Sequence, residues 1–266
     1  MIKGMNHTST SPVLFAKQFL LVLFCNLLII RASDAQEISD PLEGFNRGIF
    51  WFNDQLDIYI LEPVAQGYDH VTPMPVQKGV SNFFENLRYP KYLFNDVMQG
   101  KFTQAVEHTG RFLLNSTVGI LGLIDVAKEF GMPKHEEDFG ITLAYYGVGP
   151  GPYLVLPLLG PSNFRDGTGR IVDSFLDPFA ILSYTSVGSD ITVPVIIGAK
   201  VLEAIDTRVS LLDAVETAKE SSVDYYLFVQ SAYYQHRRGI LYDGNPPDDD
   251  IDYDDFDDNE ADSLAE

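Results

Sequence analysis

Phe139 to Phe164 reads FGITLAYYGVGPGPYLVLPLLGPSNF, an uncharged run of 26 residues punctuated by five glycines and four prolines. A membrane-spanning helix needs about 20 apolar residues, so length and hydropathy alone would suggest a span. The breakers forbid it. Pro150, Pro152 and Pro157 each lack an amide donor and clash with the preceding turn, at about 3 kcal/mol apiece in a helix interior. The run therefore predicts a bent, hinged apolar loop or hairpin, in which Tyr153 to Leu156 could pair as a short strand. Gly147, Gly149 and Gly151 leave the backbone free to turn, while Pro150 and Pro152 fix direction, which makes the segment a candidate hinge.

Outward from this run the pattern is helical. Asp40-Pro41 supplies an N-cap and a proline suited to a first turn. Phe45, Ile49, Phe52, Leu56 and Tyr59 then recur at three- to four-residue spacing, with Trp51 alongside, as an amphipathic helix requires. A Thr72-Pro73-Met74-Pro75 loop precedes a second helical stretch through Val80, Phe83, Phe84 and Leu87, which Pro90 interrupts. Helical spacing resumes at about Tyr92, breaks at Gly100 and continues through Phe102, Val106, Thr109, Phe112 and Leu113. Gly119 and Gly122, within Asn115 to Ala127, predict close helix approach. A short helix leads into the uncharged run. Arg165 to Phe175, Val195 to Leu212 and Ser222 to Gly239 complete the helices, with Ser221 and Asp224 as a capping box for the last. With no alternating runs that would build a sheet, the expected fold is all-α. Such aromatic apolar faces suit a globular core or a bilayer, and periodicity does not choose between them.

The chain has 266 residues, 45% of them hydrophobic, enough for a sizeable core. Lys3 and Lys17 precede an apolar run from Phe19 to Ile30, and Ser33-Asp34-Ala35 offers small residues for cleavage after Ala35. Residues 1–35 are thus expected to be a secretory signal peptide; an uncleaved anchor would need a longer run than this one of about 12 residues. Cys25, the only cysteine, follows Phe24, whereas a lipoprotein signal places a small residue there, so lipidation is not expected. A mature chain starting after Ala35 has no thiol chemistry.

The formal charge is −20, of which the aspartates and glutamates of residues 248–266 supply −11. Residues 241–266 are expected to form a disordered acidic tail, either a solvated extension or a docking arm for a basic partner. Nucleic-acid binding would have to overcome phosphate repulsion and is set aside.

Chemistry has few anchors. No histidine pair has ligand spacing; His135-Glu136-Glu137-Asp138 is the best metal candidate, but carboxylates at a helix N-terminus explain it, so no metal or cofactor is expected. The serines at 183, 186 and 189 lack a nearby histidine. Gly147-Val148-Gly149-Pro150-Gly151 lacks the strand and Lys-Ser/Thr of a nucleotide loop, and its prolines remove donors a phosphate would need. Arg165 and Arg170 end the uncharged run, as exposed or paired charges or as a bidentate grip on a lipid phosphate. Tyr225, Tyr226, Tyr233 and Tyr234 with His236, Arg237 and Arg238 read equally well as an interfacial belt or as core tyrosines beside a helix C-terminus.

Four blocks carry a resemblance: DPLEGFNRGIFWFN (Asp40 to Asn53), RFLLNSTVGILGLIDVA (Arg111 to Ala127), YYGVGPGPYLVLPLLGPSNFRDGTG (Tyr145 to Gly169) and LEAIDTRVSLLD (Leu202 to Asp213). In this order they resemble the MlaA/VacJ family of bacterial outer-membrane proteins over roughly Asp40 to Arg237. The resemblance implies a ring-like assembly of amphipathic helices seated in the outer membrane on its periplasmic side, spanning residues 36–240, with an amphipathic channel and a mobile hairpin. It implies removal of mislocalised phospholipid from the outer leaflet and delivery to a periplasmic lipid-carrier protein, in association with trimeric porins and without catalysis. Tyr145, Gly147, Gly149, Pro150, Gly151, Pro152, Leu154, Leu156, Pro157 and Leu158 match the family's hairpin and would border the lipid path. Phe45, Ile49, Trp51 and Phe52 match its membrane-embedded first helix. The competing class is a structural or adhesive envelope protein whose apolar helices bind other proteins.

Overall fold

The computed structural model describes residues 40–184 and 189–247. The expected signal peptide with Cys25, and the acidic run from residue 248, lie outside the described residues. Helix α1 (Glu43–Leu56) passes through a five-residue π turn (Asp57–Leu61) into α2 (Glu62–Val71). Pro63 has no amide to donate to the preceding turn, and the Glu62 N–H reaches back to the Asp57 carbonyl instead. Helices α3 (Met74–Leu87) and α4 (Tyr89–Gln99) likewise carry proline in their first two positions, where the missing donor costs nothing. Gly100, at φ +73°, ends α4 in a left-handed cap. Helices α5 (Phe102–Thr117) and the one-turn α6 (Val126–Glu129) follow, then α7 (Phe139–Tyr145).

Strands β1 (Tyr153–Leu156) and β2 (Gly160–Asn163) pair antiparallel, Tyr153 opposite Asn163 and Leu156 opposite Gly160. Then come α8 (Phe164–Asp173), α9 (Pro178–Tyr184), α10 (Ser189–Ser210), α11 (Leu212–Ser221) and α12 (Tyr225–Leu241). Among the described residues the fold is all-α apart from this hairpin. Contacts run in a closed circuit: α1 through the π turn to α2, then α10, α3, α4, α7, α12, the hairpin and back to α1. Ion pairs close it at two places, Arg208 with Asp57 at 2.7 Å and Arg47 with Asp224 at 2.8 Å.

Four sequence expectations change. The N-cap position of α1 is Leu42 rather than Asp40, whose Oδ1 accepts from the Leu42 amide ahead of the helix. Gly119 and Gly122 lie beyond the end of α5 in a tight turn, with Ile120, Leu121 and Gly122 all at positive φ. A β-carbon on Gly119 would lie 2.2 Å from the Ile124 carbonyl, and one on Gly122 would meet Asn86, so these glycines close a loop against α3. Ser221 ends α11, and Asp224 alone caps α12, accepting from the Leu227 amide. Residues 241–247 fold back beside the domain: Asp243 pairs with Lys101 at 3.2 Å, and Arg238 donates to the Pro247 carbonyl.

Polarity is inverted. Among the described residues the buried set holds Asn46, Asn95, Asp96, His108, Arg111, Glu137, Asp166, Arg208 and other polar groups in greater number than apolar ones. Large apolar side chains crowd the surface instead, including Trp51, Phe102, Val106, Leu121, Phe130, Leu158 and Ile197. No helix among the described residues is long and apolar enough to cross a membrane.

Candidate functional site

The hairpin is gripped along both edges. On the β1 side, Asn46 Nδ2 donates to the Tyr153 carbonyl (2.9 Å) and its Oδ1 accepts from the Val155 amide (3.0 Å). Two turns along α1, Asn53 repeats this on the Leu156 carbonyl (3.0 Å) and the Leu158 amide (2.8 Å). Each carboxamide thus stands in for a neighbouring strand, satisfying an edge that would otherwise be open. On the β2 side, Arg170 donates to the Leu159 and Pro161 carbonyls, both at 3.2 Å. Asn163 donates to Tyr233 Oη at 3.0 Å.

Alternation decides what each strand residue faces. Tyr153 and Val155 are fully buried against Ile49, Phe50, Tyr226, Tyr233 and Tyr234, whereas Leu154 and Leu156 are half-buried on the opposite face. The tip, Pro157-Leu158-Leu159, is exposed, with Leu158 in the left-handed region at φ +65°.

Below the hairpin lies a buried ionic cluster. Asp166, in the first turn of α8, accepts from Asn163 (3.0 Å), Tyr233 (2.5 Å) and Arg165 (2.9 Å), and pairs with Arg237 at 2.8 Å. Arg237 also grips Asp138, the N-cap of α7, at 2.5 and 2.9 Å. Burial pushes the Asp138 carboxyl up, but the hydrogen bonds and charge of Arg237 outweigh it and hold the group at about 2. Asp173, at the end of α8, accepts from the Phe139 amide and Asn95, yet burial dominates and raises it to about 6, with the Asp138 charge adding to the rise and Lys91 opposing it. Burial, reinforced by Asp166, raises Tyr233, and burial with Asp40 raises Tyr226, so both hydroxyls remain donors.

The candidate residues divide on this geometry. Gly147 and Gly151 adopt positive φ (+82° and +65°), and Gly149 does not. The Pro150 and Pro152 carbonyls accept from the Arg165 and Phe164 amides, tying the linker to the start of α8. Tyr145 is exposed at the end of α7. Phe45, Trp51 and Phe52 face outward, while Ile49 packs under the hairpin. Arg165 is 9% exposed and bonded to Asp166 and the Val148 carbonyl, so its guanidinium faces the interior; Arg170 is exposed. In the HEED segment, His135 faces Glu107, Glu137 is buried against Lys101 and Gln99, and Asp138 caps α7.

Sequence reasoning gave no site role to Asn46, Asn53, Tyr153 or Asp166. The available signal was the spacing of Asn46 and Asn53, which at seven residues puts both on one face of α1.

Residues 38–239 match the family model described as MlaA lipoprotein. The chain is 41% identical to the intermembrane phospholipid transport system lipoprotein MlaA of Escherichia coli (strain K12), over 84% of this chain and 88% of that protein. The Haemophilus influenzae protein of the same name is 33% identical, covering 80% and 84%. A solved structure described as the structural basis for maintenance of bacterial outer membrane lipid asymmetry matches with a TM-score of 0.64 at 40% identity, covering 76% of this chain and 99% of that one. On the length of this agreement, the chain belongs to the MlaA lipoprotein family.

Proposed function

We propose that this protein serves intermembrane phospholipid transport, taking mislocalised phospholipid from the outer leaflet of the outer membrane towards a periplasmic lipid-carrier protein. The observation that carries this reading is the inverted polarity: apolar side chains on the outside and hydrogen-bonded polar groups within. In water such a surface is costly; against acyl chains it is favourable, and the polar groups within satisfy one another. The helices then lie in the membrane rather than across it, on its periplasmic side, where a trimeric porin could flank them. The hairpin borders the lipid path and gates it, flexing at Gly149. No step is catalytic: direction comes from capture downstream, and the ionic cluster serves structure.

Lipid analysis of the protein purified in detergent tests the reading. Co-purifying glycerophospholipid supports transport, whereas a lipid-free oligomer that stays soluble without detergent would point to a structural envelope protein.

A further inference from the structure

Two arginines flank the hairpin and differ in how their charge is held. Arg165 is buried, with Nε on Asp166 at 2.9 Å and Nη1 on the Val148 carbonyl. Arg170 is exposed, and no carboxylate among the described residues forms an ion pair with it. Its two hydrogen bonds, to the Leu159 and Pro161 carbonyls, are both 3.2 Å long and end on either side of Gly160, where the turn enters β2. Beside it stand the exposed apolar tip residues Leu158 and Leu159, the first in a left-handed conformation unfavourable to a branched side chain. A full positive charge therefore restrains a strained apolar turn through neutral acceptors alone.

We propose that Arg170 is a phosphate-responsive latch on the hairpin. In the absence of lipid it holds the turn through the two carbonyls. When a phospholipid brings its phosphate to the apolar tip, the guanidinium exchanges those carbonyls for the anion, a bidentate pair in which both partners are charged. Beyond the pairing of β1 with β2, the turn is then restrained only from α1, through Asn53. The ligand is recognised by its phosphate, with the acyl chains placed by Leu158 and Leu159. This inference rests on the transport reading, and the experiment separates the two.

The experiment compares wild type with Arg170→Gln and Arg170→Lys by hydrogen exchange and mass spectrometry over Leu156 to Ser162, in a non-ionic, phosphate-free detergent. Dipalmitoyl phosphatidylethanolamine, dipalmitoyl glycerol or inorganic phosphate is then added. Loss of two charge-donated bonds should raise exchange in the glutamine variant about tenfold. Phosphatidylethanolamine should bring wild type to the level of that variant and leave the variant unchanged, while dipalmitoyl glycerol does nothing; lysine should fall between. Equal exchange in wild type and Arg170→Gln overturns the latch, as does an equal response to dipalmitoyl glycerol. An equal response to inorganic phosphate overturns it in favour of a general anion site. Unchanged thermal unfolding of the glutamine variant confirms that the exchange difference is local. Bound phospholipid in wild type with no latch behaviour defeats only this inference; no bound phospholipid at all defeats the transport reading with it.

Discussion

Asn46 and Asn53 lie two helical turns apart on α1 and clasp β1 three residues apart with the same pair of bonds, one donated to a carbonyl and one accepted from the amide two residues on. A helix thereby completes a sheet edge. Asn46 is fully buried and also donates to Asp40, so Asn46→Ala strands the Tyr153 carbonyl and the Val155 amide in an apolar setting, at a cost of about 3 kcal/mol. Asn53 is half-exposed, water can replace it, and Asn53→Ala should cost about 1 kcal/mol. Asn46→Asp, which cannot donate to the Tyr153 carbonyl, should resemble alanine. Thermal unfolding in detergent ranks the three; equal costs at the two positions would refute this account.

Gly149 and Gly151 separate hinge from fold. A β-carbon on Gly149 meets nothing within 4 Å, while Gly151 sits at φ +65° with Phe164 Cβ 3.1 Å from where its own would be. Gly149→Val should therefore leave stability within about 0.5 kcal/mol of wild type, and Gly151→Ala should lower it by at least about 1 kcal/mol. Clearance of outer-leaflet phospholipid is the second readout. Full clearance by Gly149→Val would remove Gly149 from the gate.

Gly140 and Gly169 mark the backbone crossing of α7 and α8. A β-carbon on Gly169 would lie 2.4 Å from the Gly140 amide nitrogen, and one on Gly140 would lie 2.6 Å from Asp166 Oδ1. Backbone cannot yield as a flexible side chain does, so Gly169→Ala should cost about 3 kcal/mol and depress folded yield. Normal yield with an unshifted melting temperature would contradict the crossing.

Acid dependence should show two opposed carboxylates. Asp173, raised to about 6, keeps its proton in the folded chain while the unfolded chain has lost it. Stability therefore falls as pH rises from about 4 to 6, by up to about 3 kcal/mol. Asp138, held at about 2, contributes stability above its unfolded pKa and loses it as pH falls towards 2. Asp173→Asn should remove the decline between pH 4 and 6, and Asp138→Asn should weaken the fold at neutral pH and flatten its loss below pH 4. Urea unfolding across this range gives both slopes.

The expected signal peptide makes a separate prediction. With Phe24 before Cys25, cleavage after Ala35 should give a mature chain beginning at Gln36 without acyl groups, although the relatives are named lipoproteins. Intact mass decides it, since acylation would add the mass of the chains to a protein starting at Cys25.

Much of the fold was legible because proline and glycine mark boundaries whatever the environment. Pro90 and Gly100 fall where α4 begins and ends, and the prolines around Tyr153 to Leu156 rule out a helix and leave a hairpin. The candidate site was harder to read. Periodicity shows that α1 has two faces but not which one is buried: Phe45, Trp51 and Phe52 read as either core or membrane, and nothing singles out Asn46 and Asn53. Their partners lie more than 100 residues away in sequence, and no local pattern encodes such a bond. The glycines at 119 and 122 suggested helix contact because smallness alone does not say whether the close neighbour is a second helix, the chain's own turn as at Gly119, or a positive φ as at Gly122. Arg165 and Arg170 looked equivalent by spacing, and only the position of Asp166 between hairpin and α12 divides them.

The outward-facing apolar side chains have one more consequence. If acyl chains cover them, the lipid is the missing half of this protein's hydrophobic core, and detergent or bilayer becomes a component of the folding equilibrium. Shortening Trp51 or Val106 would then change stability by an amount set by hydrocarbon thickness around the protein, a dependence that a core sealed within the chain would not have.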